Sequence, residues 1–143
     1  HGVIFDFINK FKRNPKTLEI LGDGTQRKSY IHVKDAVDAT IHLYKNFKIL
    51  NSYYEVYNVG NEDWITVKDI ADIIVKEMSL SNVEYHFLPA TADGRGWVGD
   101  VKFMLLDISK LKSTGWTPTM NSEQAVKSTV KHFLKNDYAN SAP

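Results

Sequence analysis

Apolar residues recur at a helical spacing of about 3.6 residues in several segments of the chain. The clearest pattern predicts a helix over Val3–Arg13, whose inner face carries Val3, Ile4, Phe7, Ile8 and Phe11. It ends at Asn14-Pro15, because the residue before a proline is driven out of the helical conformation. The same reasoning predicts further helices over Lys34–Asn46, Thr66–Met78, Ile108–Ser113 and Ser122–Asn136.

Short runs of β-branched and aromatic residues between these helices predict strands. They cover Leu18–Leu21, Ser29–Val33, Tyr54–Val59, Val83–Leu88 and Phe103–Leu106. Helices and strands alternate, so the chain is expected to form a mixed α/β fold with about five helices and five short strands. Residues 1–136 are expected to form one folded unit, and residues 137–143 a frayed tail.

Two helices carry more specific signals. Thr66 and Asp69 have the spacing of a capping box, with aspartate in place of glutamate, which predicts the start of that helix. The apolar face behind it carries Ile70, Ile73, Ile74 and Met78. For the helix over Lys34–Asn46, the pattern predicts an inner stripe of Ala36, Val37, Thr40, Ile41 and Tyr44.

Composition narrows the possible functions. A chain of 143 residues with a net charge of +1 has no strong field that would attract nucleic acid or an anionic membrane. It has no cysteine, which excludes disulfides, thiolate metal sites and a thiol nucleophile, and which suits a cytoplasmic protein. No apolar run approaches the roughly 20 residues that span a bilayer. Because the first residue is His1, the chain is expected to be processed or part of a longer one.

The first candidate site follows a glycine turn. Gly22 and Gly24 allow backbone to approach a ligand closely, and Arg27 and Lys28 come directly after them. Neighbouring side chains of a strand point to opposite faces, so one cation is expected to face a cleft, where it could contact phosphate, and the other to face water. The alternative is a hairpin turn with two solvated bases.

A second candidate site is the loop Gly94-Arg95-Gly96-Trp97. It belongs to a long polar segment of the kind that often carries function, and Trp97 offers a flat face for stacking. The alternative is a surface loop with one buried tryptophan. The five histidines have no metal-ligand spacing, so no metal site is expected.

Two motif matches carry no function. Tyr30 and Lys34 fit the Tyr-x-x-x-Lys pattern of short-chain dehydrogenases, which requires both side chains on one helical face. In the predicted strand their Cα atoms would lie roughly 13 Å apart. The pair Gly22 and Gly24 lacks the third glycine and the following helix of a dinucleotide-binding turn.

Several segments, taken in order, resemble one family. Leu18–Asp35 (LEILGDGTQRKSYIHVKD) is similar to the G-D-G-x-Q-x-R-D-Y-I-H-V-x-D stretch of extended short-chain dehydrogenase/reductases that act on nucleotide sugars. Tyr57–Gly60 resembles their Y-N-V-G strand. Gly99–Asp100, Leu106–Lys110 and Gly115–Pro118 resemble their G-D, D-x-S-K and G-W-x-P segments. The chain therefore looks like the carboxy-terminal portion of an NAD-dependent epimerase/dehydratase, and most resembles UDP-glucose 4-epimerases of archaeal type.

The resemblance implies which residues bind the substrate. Gly2, Val3 and Ile4 match the segment that passes over the nucleotide, and Ile20 and Leu21 match the strand that lines the base. Lys28 falls on the family's phosphate-binding arginine. Trp97 falls on a second family arginine, so Arg95 is expected to supply that charge from nearby. The other candidate contacts are Arg27, Trp97 and Asp100.

The resemblance also implies a function for the complete enzyme. Bound NAD would oxidise C4 of a UDP-hexose transiently and so interconvert UDP-glucose and UDP-galactose, in a cytoplasmic homodimer. NAD and the catalytic tyrosine and lysine would belong to an amino-terminal half that is absent here, so this chain would bind substrate without catalysing the reaction. The alternatives are a nucleotide-sugar 4,6-dehydratase, a decarboxylase, or a non-catalytic nucleotide-binding or interaction domain.

Overall fold

A computed structural model describes residues 2–46 and 54–136. Over these residues it contains five helices and five strands, which confirms the predicted mixed α/β class. The predicted tail at 137–143 lies outside the described residues. The elements in chain order are α1 (Val3–Arg13), β1 (Thr17–Leu21), β2 (Arg27–Lys28), α2 (Val33–Asn46), β3 (Ile65–Thr66), α3 (Val67–Glu77), β4 (Glu84–Leu88), β5 (Phe103–Met104), α4 (Ser109–Lys112) and α5 (Ser122–Asn136).

The strands form two small sheets. Strands β1 and β4 pair in parallel, with Thr17 opposite Glu84 and Leu21 opposite Leu88. In the second sheet β2 lies in the centre, antiparallel to β3 and parallel to β5. Just after β1, the Gly22 N–H donates to the Leu88 carbonyl of β4, which extends the contact between these two strands into the turn.

The main core lies where α1, α3 and α5 pack together and against β1. Its buried side chains are Phe7, Ile8, Phe11, Leu18, Ile20, Ile65, Ile70, Ala71, Ile74, Val126 and Val130. Five of the predicted inner positions of α1 and α3 are among them, because each helix has one continuous apolar face. The other four are partly buried and pack against this core: Val3, Ile4, Ile73 and Met78. The capping box is confirmed, with Thr66 Oγ1 accepting from the Asp69 N–H and Asp69 Oδ2 accepting from the Thr66 N–H.

The predicted inner stripe of α2 is wrong. The helix instead turns Asp35 and Ala39 inward, and Ala39 packs in a smaller cluster with Leu111 and Trp116. Asp35 accepts hydrogen bonds from the Thr119 hydroxyl at 2.6 Å and from the Met120 N–H at 3.3 Å. These bonds hold the side of the helix that carries Asp35 and Ala39 against the protein, so the predicted stripe faces outward. Its residues Val37, Thr40, Ile41 and Tyr44 are exposed, Tyr44 by 85%, and Ala36 is half-buried.

Two predicted strands are also wrong. Residues 29–32 do not extend β2, because side chains take the hydrogen bonds that a neighbouring strand would need: the Tyr30 N–H donates to Ser122 Oγ, and the Tyr30 carbonyl accepts from Asn61 Nδ2. Residues 54–59 also lack a paired strand, and the Val56 carbonyl accepts from Lys110 Nζ instead. A strand needs backbone hydrogen bonds to a neighbouring strand as well as β-branched residues, and both segments have too few of these bonds.

Within the described ranges, no helix has both the length and the apolar character needed to cross a bilayer.

Candidate functional site

A cavity of about 440 Å³ opens between α1, the turn from β1 to β2, and the loop before β5. Its volume falls in the range of roughly 300–1,000 Å³ that is typical of small-molecule sites. One set of wall residues is apolar or aromatic, and the other consists of two lysines, two aspartates and a glutamine. The lining is Val3, Asp6, Phe7, Lys10, Leu21, Gln26, Lys28, Tyr30, Val67, Trp97 and Asp100.

The glycine turn shapes one wall of this cavity. Gly22 has φ of +90°, and a Cβ atom there would lie 1.8 Å from Gln26 Nε2. Only glycine therefore allows the turn and the glutamine to occupy their positions. The Asp23 N–H donates to the Gly94 carbonyl at 2.9 Å, so the turn is bonded directly to the second glycine-rich loop.

Beside this contact, Asp23 forms an ion pair with Lys102. Partial burial alone would raise the pKa of Asp23, but hydrogen bonds from Lys102 and Thr25 outweigh it and lower the pKa to about 2. Lys102 also donates to the Asp93 carbonyl at 2.7 Å. The ion pair therefore links the turn after β1 to the loop that ends at Asp100.

Lys28 and Asp100 form the central ion pair of the cavity. Lys28 Nζ lies 3.1 Å from Asp100 Oδ1; the aspartate side chain is 3% exposed and the lysine side chain 27%. Burial alone would raise the pKa of Asp100. The hydrogen bonds from Lys28 and the Gly96 N–H, with the Lys28 charge, outweigh burial and hold that pKa below its ordinary value. Asp100 is therefore an ionised acceptor at neutral pH.

Gln26 is buried behind this pair. Its Nε2 donates to the Leu21 carbonyl at 3.0 Å and lies 3.5 Å from Asp100 Oδ2. Both neighbours are acceptors, so the amide group has only one favourable orientation. Within the described part of the chain, Gln26 Oε1 has no hydrogen-bond partner.

A second lysine–aspartate pair lines the cavity from α1. Lys10 Nζ lies 3.0 Å from Asp6 Oδ2 and donates to the Glu19 carbonyl at 3.1 Å. Sequence reasoning did not identify Asp6, Lys10 or Gln26 as site residues. The signal for the first two was their four-residue spacing beside the predicted apolar face, while nothing in the pattern around Gln26 indicated burial.

The predicted site residues divide evenly. Five of the ten line the cavity: Val3, Leu21, Lys28, Trp97 and Asp100. The other five lie outside its lining: Gly2, Ile4, Ile20, Arg27 and Arg95. Ile20 is fully buried in the main core, and Ile4 packs against that core.

The two predicted arginines have partners of their own. Arg27 lies on the opposite side of β2 from Lys28, with its guanidinium carbon 4.2 Å from the centre of the Trp64 ring. The expected division of the two cations between opposite faces therefore holds, with Lys28 at the cavity. Arg95 Nε donates to Asp93 Oδ2 at 2.7 Å. The hydrogen bonds from Thr91 and Arg95 keep the pKa of Asp93 low.

The Tyr-x-x-x-Lys match brings no catalytic pair together. Tyr30 lines the cavity, where burial raises its pKa, whereas Lys34 lies in the first turn of α2 and lines a separate depression with Val33 and Val37. In the described part of the chain, no cluster of three or more histidine or acidic side chains could hold a metal ion.

Known proteins resemble this chain in sequence. The sequence model of the NAD dependent epimerase/dehydratase family matches residues 1–60. A Methanocaldococcus jannaschii protein provisionally named UDP-glucose 4-epimerase is 30% identical over 136 residues, which cover 95% of this chain and 40% of that protein. The chain thus spans about two fifths of the length of this curated relative.

Solved structures agree with this match. A crystal structure of a UDP-galactose 4-epimerase is 44% identical and superposes with a TM-score of 0.78 over 95% of this chain and 41% of the other. A UDP-glucose 4-epimerase from Thermotoga maritima, crystallised with UDP-glucose, is 29% identical, with a TM-score of 0.72 over 94% of this chain and 40% of its own.

Proposed function

We propose that the chain is part of an NAD-dependent epimerase/dehydratase and that its cavity binds the nucleoside diphosphate part of a nucleotide sugar. The observation that carries the proposal is the position of Lys28. Its ammonium group reaches the cavity wall from a strand and remains partly accessible beside a buried acid. A cation held in this way can pair with phosphate oxygens through short, charge-assisted hydrogen bonds.

The rest of the lining suits the same ligand class. A nucleotide sugar carries negative phosphates, hydroxyl groups that donate hydrogen bonds, and flat or apolar ring surfaces. The lysines can donate to the phosphates, the carboxylates of Asp6 and Asp100 can accept from hydroxyls, and Trp97 offers a face for a ring. Such a mixture of a few polar groups within an apolar wall is typical of sites that orient one ligand.

We propose that the nucleotide is a uridine diphosphate and the reaction 4-epimerisation of the hexose. This proposal draws on the solved UDP-galactose 4-epimerase that is 44% identical to the chain. Dehydration is the alternative within the family, as its description indicates. The residues around this cavity would hold the non-reacting part of the substrate, where binding energy supports positioning of the reacting sugar.

Within the part of the chain that the structure describes, the glycine turn after β1 does not fit a dinucleotide cofactor. Gly22 and Gly24 lead into β2 rather than into the N-terminus of a helix, which is where a dinucleotide pyrophosphate binds. We therefore propose that NAD is bound by residues outside these 143. The 143-residue chain would then bind the nucleotide sugar without turning it over.

Calorimetry with UDP tests the binding role of Lys28. Lys28→Met is expected to weaken UDP binding by about 10- to 100-fold, the range for one charge-assisted hydrogen bond, while uridine binding changes little. Arg27→Met is the matched control, because it removes the same charge from the opposite side of β2. Absence of UDP binding by the unaltered chain, or an equal loss in the control, would contradict the proposal.

The predicted contribution of Arg95 can be measured in the same titrations. Its Nε donates to Asp93 Oδ2 at 2.7 Å, so Asp93 competes with phosphate for this guanidinium. If Arg95 contributes to the site, Arg95→Gln weakens UDP binding and Asp93→Asn strengthens it, because the competing carboxylate is gone. Two variants that bind UDP as the unaltered chain does would exclude Arg95 from the site.

The reaction is tested by proton NMR of UDP-galactose incubated with NAD. A longer chain that joins this sequence to a nucleotide-binding half is expected to form UDP-glucose, while the 143 residues alone form none. A 4-keto-6-deoxy product would identify a dehydratase instead. Turnover by the 143-residue chain alone would refute its assignment as the binding portion.

A further inference from the structure

We propose that Lys10 is a second cation that holds the diphosphate, together with Lys28. This inference rests on the proposed function, since it names a further residue of the same site. Lys10 belongs to α1 and Lys28 to β2, and both line the one cavity of about 440 Å³. A roughly spherical space of that volume is about 9 Å across, so the two lysine side chains that line it can both reach a ligand within it.

Lys10 keeps hydrogen-bonding capacity for a ligand. An ammonium group has three donors, and its partners are the Asp6 carboxylate at 3.0 Å and the Glu19 carbonyl at 3.1 Å. Two contacts leave one donor for an anion in the cavity. The side chain is 31% exposed, so its charge is accessible from the cavity and not sealed within the protein.

The backbone beneath Lys10 is rigid. Phe7 and Phe11 on either side of it along α1 are buried in the main core. The Glu19 carbonyl that holds its ammonium group belongs to β1, which is paired along its length with β4. The charge therefore stands at the cavity wall before any ligand arrives, and no loop must be rearranged to bring it there.

Arg95 lacks this preorganisation. It belongs to the loop between β4 and β5, and its guanidinium is already bound to Asp93 outside the cavity lining. A phosphate in the cavity would have to draw this side chain in from outside the lining, which costs side-chain entropy. Lys10 already lines the cavity.

The two lysine–aspartate pairs also explain how the cavity can hold a ligand with several charges. Each pair joins one basic and one acidic side chain, so neither lysine stands beside the cavity without a counter-charge. A diphosphate that bridges the two ammonium groups introduces negative charge between them. Asp6 and Asp100 line the same cavity, so hydroxyl groups of the ligand can donate to their carboxylates.

Titration with UDP and with uridine tests the role of Lys10. Lys10→Gln is expected to raise the dissociation constant for UDP about tenfold and to leave that for uridine unchanged. Lys12→Gln is the matched control, because it removes one charge from the same helix at a position outside the cavity lining. Lys10→Arg retains the charge, so we expect it to keep most of the UDP affinity that Lys10→Gln loses. A purely structural role of Lys10 would not predict this difference between the two variants.

The outcomes separate this inference from the proposed function. If Lys28→Met loses UDP affinity while Lys10→Gln binds UDP like the unaltered chain, the role of Lys10 is refuted and the nucleotide site stands. If the unaltered chain binds no UDP, both fail. A Lys10→Gln variant that loses affinity for uridine as strongly as for UDP would also refute the inference, because its effect would then not concern the diphosphate.

Discussion

The stability of the cavity wall depends on the charge of Lys28, and Lys28→Met removes that charge. The Asp100 carboxylate, only 3% exposed, would then keep the weaker donors Gly96 N–H and Gln26 Nε2. A buried carboxylate that loses its cation pays its desolvation cost without compensation. We therefore expect the variant to be less stable even when no ligand is present.

The size of the effect follows from the exposure of the two partners. Breaking a fully buried pair costs about 3–5 kcal/mol, and breaking a surface pair about 0–1 kcal/mol. Asp100 is buried, but the Lys28 side chain is 27% exposed and loses less solvation on pairing than a buried lysine. The expected loss at pH 7 is therefore about 2 kcal/mol, or a melting temperature lowered by about 6 °C for a chain of this size.

The pH dependence of the loss distinguishes this cause from lost packing. In the folded protein the pKa of Asp100 is lowered, so its stabilisation is present above the ordinary carboxyl pKa of about 4 and is lost as the pH falls through the folded value. In Lys28→Met the unpaired carboxylate becomes neutral on acidification. The difference in unfolding free energy between the two proteins should therefore shrink from pH 7 to about pH 3.5.

Urea unfolding followed by circular dichroism at both pH values measures these differences. Arg27→Met, which removes a solvated cation from the same strand, should show a smaller loss with little pH dependence. Adding Asp100→Asn to Lys28→Met should recover part of the lost stability, because no charge is then left unpaired. A loss that is the same at pH 7 and pH 3.5, or that the second substitution increases, would refute the electrostatic explanation.

Two further predictions concern the stability of the turn after β1 and of the start of α3. Gly22→Ala should destabilise the fold by about 1–3 kcal/mol in urea unfolding, because it adds a collision with the buried glutamine to the strain of φ at +90°. Gly99→Ala, with a similar φ of +98° and no atom within 4 Å of the new Cβ, should cost less; an equal cost would exclude the collision. Thr66→Ala should cost about 1 kcal/mol by removing the capping bond of α3, whereas Thr66→Ser should retain most of it, and equal stability of the two variants would contradict the cap.

The sequence alone was sufficient for elements whose local signals agree. Helix α1 has one apolar face and a proline after its end, and its predicted bounds match the structure residue for residue. Helix α3 has a capping box as well as an apolar face, and β1 and β4 were found within about one residue of their ends. In each of these elements, hydrophobic period, termini and propensity all indicate the same structure.

Tertiary structure decided the features that depend on distant partners. The orientation of α2 follows from bonds between Asp35 and residues 84 and 85 positions away. The end of β2 follows from Ser122, which is 92 positions from Tyr30. A local pattern records whether a side chain is polar but not which partner will meet it, so it cannot tell a solvated charge from a buried one.

The same division applies to the candidate site. The order of glycines, cations and the Gly-Asp pair along the chain carried the resemblance to nucleotide-sugar enzymes, and that resemblance pointed to Lys28. Only the fold placed Lys28 against Asp100, 72 positions away, with the Asp6–Lys10 pair on the same cavity and Arg95 on Asp93. Composition and spacing determine which chemical groups a chain carries and can form local pairs such as Asp6–Lys10. The meeting of Lys28 with Asp100, and the position of both pairs on one cavity, are properties of packing, because the folded core joins segments that are distant in sequence.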